Sequence, residues 1–427
     1  MANITVVGLG YVGLPLACLC AEKGHKVYGL EIDKNKIDLV NEGISPIDDA
    51  YATDKLKDMK NKIHATSNPA DCIPNSDIVV VCVPTPVDKN NSPDLTALME
   101  SVSTISKFIK QYSLLIIEST IYPGTIEEIA VPILKKQKFD AYENDIFVAH
   151  CPERIDPGNK KWTIENLPRV VGGITKEATK KTADFYRSII DADIVELSGV
   201  KSAEATKIME NTFRDVNIAF VNEMAQSFDK AGIDIIEVIK GASTKPFAFM
   251  PHYPGAGVGG HCIPVDPYYL IEKAKQIGFN HRFLSLAREI NSNMPHYTVE
   301  LLKQQLQKLK KSLKGAKIGV LGLAYKANVD DIRESPSFEI INILKTKEAD
   351  VFVFDPHVKK GSNVKDLDEL FNKSDYVILA TEHDEFKNMD LGKLKKHKIL
   401  AIIDGRNCLD KERIKSMGIL YHGVGRE

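Results

Sequence analysis

Cys262 follows four glycines, Gly255, Gly257, Gly259 and Gly260, in the run Pro-Gly-Ala-Gly-Val-Gly-Gly-His-Cys-Ile-Pro-Val-Asp-Pro-Tyr-Tyr over residues 254–269. Glycines open backbone conformations closed to other residues and let a ligand approach closely, so this composition predicts a tight loop that presents the thiol. Only the thiolate attacks, and a free cysteine titrates at about pH 8.5. A nucleophilic Cys262 therefore needs help, for which His261, Asp266 and a lysine from elsewhere are candidates. Taken alone, the same residue also reads as a small buried thiol in a glycine-rich turn.

A second signature sits at the start of the chain. The β-branched run over residues 3–8 stops at Gly8-Leu9-Gly10-Tyr11-Val12-Gly13, and Leu14 to Lys23 reads as a helix closed by Gly24. Strand, Gly-x-Gly-x-x-Gly and helix in that order form the dinucleotide fingerprint. The next strand, Lys26 to Ile32, carries Glu31 with Asp33 just beyond. An acid there accepts the adenosine ribose hydroxyls and repels a 2′-phosphate, which favours NAD over NADP. A nicotinamide site together with a nucleophilic cysteine implies oxidation past the aldehyde.

Both signatures need elements to position them. Apolar strands beginning at Asp77 and Leu114 break into Val83-Pro84-Thr85-Pro86 and Thr120, followed by Tyr122-Pro123-Gly124-Thr125; ligands of doubly wound sheets collect at such strand ends. Thr85 and Thr120 read equally well as caps. A strand over Ile146 to His150 leads into Cys151-Pro152-Glu153-Arg154-Ile155-Asp156-Pro157-Gly158, a candidate active-site wall or a surface ion pair. From Lys201 to Ala231 the pattern is helical, with Glu204, Lys207, Asn211 and Arg214 on one face, either solvated or facing a ligand. A further helix from Phe283 to Lys311 is expected to break near Pro295. Strands beginning at Lys317, Val351, Tyr376 and Ile399 then form a second parallel α/β domain. Its Gly319-Val-Leu-Gly322 is not a proper fingerprint, and Tyr325, Lys326, Arg333 and Arg406 suit phosphate oxygens. The fold class is α/β: two Rossmann-like doubly wound parallel-sheet domains joined by a central helical domain. The boundaries are 1–200 for NAD binding, 201–312 for the helical domain with the lysine and cysteine loop, and 313–427 for the second α/β domain with its phosphate-suited groups.

Composition narrows the partners. With 56 Lys and Arg against 58 Asp and Glu, the net charge of −2 argues against nucleic acid or an anionic membrane. No apolar run approaches a membrane span and no basic leader is seen, which predicts a soluble, cytoplasmic protein. Seven cysteines without a C-x-x-C pair suggest reduced thiols, with no disulfide framework and no metal.

These motifs resemble the UDP-glucose/GDP-mannose dehydrogenase family over essentially the whole length: Gly8-Leu9-Gly10-Tyr11-Val12-Gly13-Leu14-Pro15, Val83-Pro84-Thr85-Pro86, Glu118-Ser119-Thr120, Pro152-Glu153-Arg154, Lys207 with Asn211, Gly259-Gly260-His261-Cys262 with Asp266, and Asp404-Gly405-Arg406. The resemblance implies oxidation of a nucleotide-sugar C6 alcohol to a carboxylate with two NAD⁺. Members acting on UDP-glucose tend to carry Gly-Gly-Ser-Cys-Phe-Pro-Lys-Asp. Gly-Gly-His-Cys-Ile-Pro-Val-Asp-Pro looks instead like the branch that oxidises UDP-N-acetylhexosamines, with UDP-N-acetyl-D-mannosamine favoured and UDP-glucose less so. Residues 244–251, Thr-Lys-Pro-Phe-Ala-Phe-Met-Pro, keep UDP-N-acetylglucosamine in play. By resemblance Cys262 is the nucleophile, Lys207 the proton donor and acceptor with Asn211 beside it, and Asp266 orients Lys207 or a water, while Glu153 and Thr120 hold a water. Arg154, Ile155, Lys207, Asn211, Arg214, His252, Gly255, Tyr325, Lys326 and Arg406 surround the UDP-sugar. Gly8, Gly10, Tyr11, Val12, Gly13, Glu31, Asp33, Thr85 and Thr120 hold NAD, with Arg333 at its pyrophosphate. At least a homodimer is implied. Two rivals are a β-hydroxyacid-type dehydrogenase, which removes one hydride and needs no thiol, and a silent nucleotide-sugar sensor.

Overall fold

The computed structural model describes residues 1–88, 92–155 and 161–427, so the Asp156-Pro157-Gly158 end of the candidate loop lies outside the described residues. The chain folds into two compact units, Met1–Glu210 with Tyr268–Phe279, and Asn211–Pro267 with Asn280–Glu427.

The first unit holds β1 (Asn3–Val7), β2 (Lys26–Leu30), β3 (Ile63–Thr66), β4 (Ile78–Val81), β5 (Leu114–Ile117), β6 (Phe147–His150), β7 (Arg169–Gly173) and β8 (Ile194–Glu196). They form one sheet in the order β3-β2-β1-β4-β5-β6-β7-β8, parallel except where β7 runs against β6. The order reverses between β2-β1 and β4, with Val7 opposite both Leu30 and Val81. That reversal makes the crevice at the strand ends in which the loops after β1 and β4 stand. Ile-Val-Val-Val and Leu-Leu-Ile-Ile are almost wholly buried because helices cover both faces of a parallel sheet. The helix Gly13–Glu22 is buried from Gly13 to Ala21, and the chain leaves it through Gly24 at φ +91°, a left-handed position that suits glycine.

The second unit contains β9 (Lys317–Leu321), β10 (Asp350–Phe354), β11 (Tyr376–Leu379), β12 (Ala401–Asp404) and β13 (Leu420–Gly423), all parallel in the order β10-β9-β11-β12-β13. Met294, Val299, Leu302 and Leu306 of the helix Arg282–Lys308 share a core with Ile318, Val320, Ile340 and Ile403. The helix expected to break near Pro295 runs unbroken through it. Proline inside a helix forfeits one hydrogen bond and costs about 3 kcal/mol. Here the residue and its neighbours Asn291, Met294, Thr298 and Val299 are buried, and that packing outweighs the loss. Most strands are one to three residues shorter than their apolar runs suggest, β10 excepted; β5, for instance, stops at Ile117, where Glu118 and Ser119 both turn their N–H groups to the Val81 carbonyl. Among the described residues no helix is long and apolar enough to cross a membrane.

Candidate active site

In the first unit, Gly8 takes φ +89°, and a Cβ there would lie 2.8 Å from the Cys82 carbonyl oxygen. At Gly13 a Cβ would come within 1.9 Å of the Gly8 carbonyl oxygen, so the turn closes only without side chains. Around Gly10 nothing lies within 4 Å of where a Cβ would be, leaving the backbone open to a diphosphate ahead of the helix N-terminus. Tyr11 and Val12 complete the turn. Glu31 is 8 % exposed and accepts the N–H groups of Leu9 (2.9 Å), Ile32 (2.8 Å) and Asp33 (3.1 Å). A carboxylate offers about four acceptor positions, so one remains for a ribose hydroxyl. Asp33 caps the helix Lys34–Glu42 through the N–H groups of Asn35 and Lys36. These residues fit a dinucleotide.

The loops after β4 and β5 are tied together. Thr85 Oγ1 donates to the Thr120 carbonyl at 2.7 Å, and Tyr269 Oη donates to the Thr85 carbonyl at 2.5 Å. Thr85 thus holds the two loops together through its hydroxyl, whereas Thr120 takes part through its backbone carbonyl. Of the face Glu204-Lys207-Asn211-Arg214, Glu204 is not solvated: it is buried and accepts the N–H groups of Gly124 (2.6 Å) and Ile126 (2.9 Å), anchoring the helix Val200–Lys230 to the loop after β5. Lys207 is half-buried and Arg214 exposed.

Glu153 and Arg154 do not pair with one another through their side chains. Arg154 grips Glu210 through Nη2 (2.7 Å) and Nε (3.2 Å) and donates to the Pro168 carbonyl. Glu153 accepts the backbone N–H groups of Arg154 and Ile155 and meets Nη1 of Arg169 at 3.2 Å. That guanidinium is fully buried and also faces Glu118 at 3.4 Å, which in turn accepts from Tyr186 Oη. Burial, opposed by Arg169 and reinforced by Glu153, raises the Glu118 carboxyl to about 7. Sequence reasoning missed Arg169, whose only signal is a charge at the start of an otherwise apolar strand.

In the second unit the Cys262 loop is built as its glycines predicted. Gly257 and Gly260 take φ +142° and +92°, and a Cβ on Gly260 would lie 2.8 Å from the Tyr325 ring. One on Gly259 would lie 2.6 Å from Tyr325 Cβ and 2.8 Å from the Glu334 carbonyl oxygen. Gly260 N–H donates to the Arg333 carbonyl at 3.0 Å. Past the thiol, the Cys262 carbonyl accepts the N–H groups of Val265 (3.0 Å) and Asp266 (2.8 Å), opening the helix Asp266–Gln276. Asp266 is 3 % exposed and accepts from Asn211 Nδ2 at 2.5 Å. Arg333 is gripped by Asp331, and the Tyr325 N–H donates to the Asp331 carbonyl. Burial raises the Asp331 carboxyl, but the bonds from Arg333 prevail and hold it below its ordinary range, with His261 adding to the pull. Arg406 Nε donates to the Ala380 carbonyl (2.9 Å) and faces Glu382 (3.0 Å), and a Cβ on Gly255 would meet Arg406 Nη1 at 2.9 Å. His252 is half-buried, with Nδ1 3.0 Å from the Met250 carbonyl oxygen, and Lys326 is also half-buried.

The turn after β9 differs from the one after β1. Asp355, at the end of β10, takes the N–H groups of Leu323 (2.6 Å) and Ala324 (2.9 Å), committing turn amides that a dinucleotide phosphate would use. His357, His383 and Glu385 approach one another as metal ligands do. However, His383 Nδ1 accepts the Asn328 N–H at 2.9 Å, so its proton sits on Nε2, facing Asp355 at 3.0 Å, and neither nitrogen is available to an ion.

Three family models cover the chain: the NAD binding domain (residues 2–190), the central domain (201–293) and the UDP binding domain (319–411) of the UDP-glucose/GDP-mannose dehydrogenase family. The chain is 36 % identical to the UDP-N-acetyl-D-mannosamine dehydrogenase of Pyrococcus horikoshii over 99 % of both chains. It is 38 % identical to the UDP-N-acetyl-D-glucosamine 6-dehydrogenase of Pseudomonas aeruginosa over 92 % of this chain and 93 % of that one. The solved structure of UDP-D-ManNAc dehydrogenase from Pyrococcus horikoshii superposes with a TM-score of 0.93 at 35 % identity, covering 99 % of each chain. With the fingerprint turn, the glycine loop and near-complete coverage in agreement, this chain belongs to the UDP-glucose/GDP-mannose dehydrogenase family and is an NAD-binding nucleotide-sugar 6-dehydrogenase.

Proposed function

We propose that the chain oxidises C6 of UDP-N-acetyl-D-mannosamine to UDP-N-acetyl-D-mannosaminuronate in two steps, with Cys262 holding the intermediate aldehyde. The observation that carries this reading is the Cys262 loop: a thiol on a four-glycine turn braced by Tyr325 and the Arg333 carbonyl, with Asp266 one turn on and bonded to Asn211. We assign residues 1–200 to NAD, 201–312 to the helical domain with Lys207 and this loop, and 313–427 to the UDP-sugar.

NAD would be held by the Gly8–Gly13 turn and Glu31 and would supply the hydride acceptor for each of two oxidations at C6. A base held by Lys207 and Asp266 removes the C6 hydroxyl proton in the first. The Cys262 thiolate then bonds to C6 of the aldehyde as Lys207 and Asn211 stabilise the oxyanion, giving a thiohemiacetal. Loss of the second hydride leaves a thioester. A water held by Glu153 and Thr120 attacks it, the C–S bond breaks and the thiolate is restored. The substrate and one water thus yield the carboxylate, two hydrides and three protons. The covalent bond keeps the aldehyde from escaping between oxidations.

Relatives named for both C2 epimers lie at similar identity, so UDP-N-acetylglucosamine is the second reading. Purified enzyme with NAD⁺ and either UDP-N-acetyl-D-mannosamine, UDP-N-acetylglucosamine or UDP-glucose separates them. Two NADH per UDP-N-acetyl-D-mannosamine, with the other sugars slower by tenfold or more, is the expected result, about 1.4 kcal/mol of discrimination. Two NADH from UDP-N-acetylglucosamine alone corrects the substrate, and one NADH from any of them overturns the double oxidation.

We further propose at least a homodimer. Phe213 and Phe220 on the long helix are 46 % and 55 % exposed, more apolar surface than a lone helix face needs. Light scattering is expected to give at least twice the chain mass of 47.4 kDa, and a single-chain mass at working concentration would refute it.

A further inference from the structure

We propose that Asn222 is a positioning residue for the Cys262 loop, setting where the loop begins through a buried chain of amides that crosses two helices. The inference rests on the proposed role of Cys262 as the nucleophile.

Asn222 lies on the helix Val200–Lys230 and is completely buried. Its Oδ1 accepts the Gly255 N–H at 3.0 Å, and its Nδ2 donates to Asn291 Oδ1 at 2.9 Å. Asn291, on the helix Arg282–Lys308 and 1 % exposed, donates through Nδ2 to Asp215 Oδ1 (2.8 Å) and to the Asp215 carbonyl (3.0 Å). Arg288 closes the chain with Nη1 2.5 Å from Asp215 Oδ1. The direction of every link is dictated by its ends. At this contact Gly255 presents its N–H, so Asn222 must present oxygen; the Asp215 backbone carbonyl can only accept, so Asn291 must present nitrogen; the two amides then meet donor to acceptor with no other arrangement satisfying all four groups.

The consequence for the loop follows from what lies on either side of Gly255. Ala256 N–H donates to the Gly405 carbonyl at 2.9 Å, and Gly257 is pressed against Pro336 and Pro295, to which a Cβ would come within 2.7 Å and 3.5 Å. With Gly260 held by the Arg333 carbonyl, the loop is fixed at both ends, and Asn222 is the side chain that ties Gly255 to the helices. A buried N–H left without a partner is costly, so a chain without this acceptor shifts the loop to reach another.

A merely structural role has a built-in control. The same two helices carry a second buried polar chain, Gln305 to His422 (2.9 Å) to Asp229 (2.7 Å), that touches no part of the loop. Asn222→Leu, Asn222→Asp and Gln305→Leu should be compared with the full-length wild type for Tm, for kcat/KM with UDP-N-acetyl-D-mannosamine, and for the rate of Cys262 alkylation by iodoacetamide, localised by peptide mass spectrometry. Both leucine variants are expected to lower Tm. Of the two leucine variants only Asn222→Leu is expected to lower kcat/KM, by at least about tenfold, and to change the alkylation rate, with Asn222→Asp, which keeps the acceptor for Gly255 and in its protonated form the donor for Asn291, recovering part of both. Wild-type kcat/KM and alkylation in Asn222→Leu, or an equal loss in Gln305→Leu, would overturn the proposal. Should the wild type oxidise none of the UDP-sugars, the reading of the site fails, while the alkylation rates still decide the role of Asn222. If Asn222→Leu does not fold, Asn222→Ser, with a hydroxyl too short to reach Gly255, is judged by the same readouts.

Discussion

Cys262→Ser is expected to abolish the double oxidation, lowering its kcat by at least about 10³-fold, the scale seen when a covalent nucleophile is removed. The substitution changes one atom and leaves the backbone bonds that shape the loop, Gly260 to Arg333 and Asp266 to Cys262, in place. Loss of activity would therefore report on chemistry. A serine hydroxyl is not ionised at neutral pH, so the aldehyde formed by the first oxidation is not captured and the second hydride has no thiohemiacetal to leave from. NADH counted against UDP-N-acetyl-D-mannosamine consumed should fall from two to at most one. A variant that still produces two would place the covalent step elsewhere or remove it.

Arg169→Leu is expected to cost about 3–5 kcal/mol of stability, the range for removing one partner of a buried ion pair. The guanidinium is inaccessible and lies between Glu118 and Glu153, with the Tyr186 ring 5.5 Å away. Without it two carboxyl groups share a dry site with no cation, and Glu153 loses the charge that steadies its grip on the Arg154 and Ile155 amides. Urea unfolding measures the loss; a change below about 1 kcal/mol would mean that the cation is not what holds the acids there. The same cluster has a pH signature. Burial holds the Glu118 proton up to about pH 7, against an ordinary value of 4.5, so the folded chain binds a proton that the unfolded chain has released between those values. The contribution is complete below about pH 4.5 and is lost as pH rises through about 7. Stability should fall from pH 5 to pH 8, and Glu118→Gln should flatten that fall. An identical slope in the variant would assign it to other groups.

Reading the chain from its residues succeeded where local chemistry dictates geometry. The fingerprint turn needs Gly8 at positive φ and Gly13 against the Gly8 carbonyl, requirements that only glycine meets, so residue type and spacing suffice. The Cys262 loop was legible for the same reason. Glu31 was found by its place at a strand end, and its engagement with three amides appears only when the turn is built. Pro295 shows the opposite case: a local helix breaker overruled by the burial of its neighbours, which no local pattern encodes.

The sequence by itself determined two α/β sheets with a helical stretch between them, a dinucleotide turn, a cysteine delivered on glycines and the family to which these belong. Only the tertiary structure decided what the polar side chains do. It paired Arg154 with Glu210 and left Glu153 to Arg169, buried Glu204 on the Gly124 and Ile126 amides, and linked Arg288 through Asp215, Asn291 and Asn222 to Gly255. The physical reason is range. Backbone conformation and hydrophobic periodicity depend on neighbours within a few residues, whereas a buried polar group must be satisfied by whichever partner the fold brings to it, as Glu204 is by an amide 80 positions away along the chain.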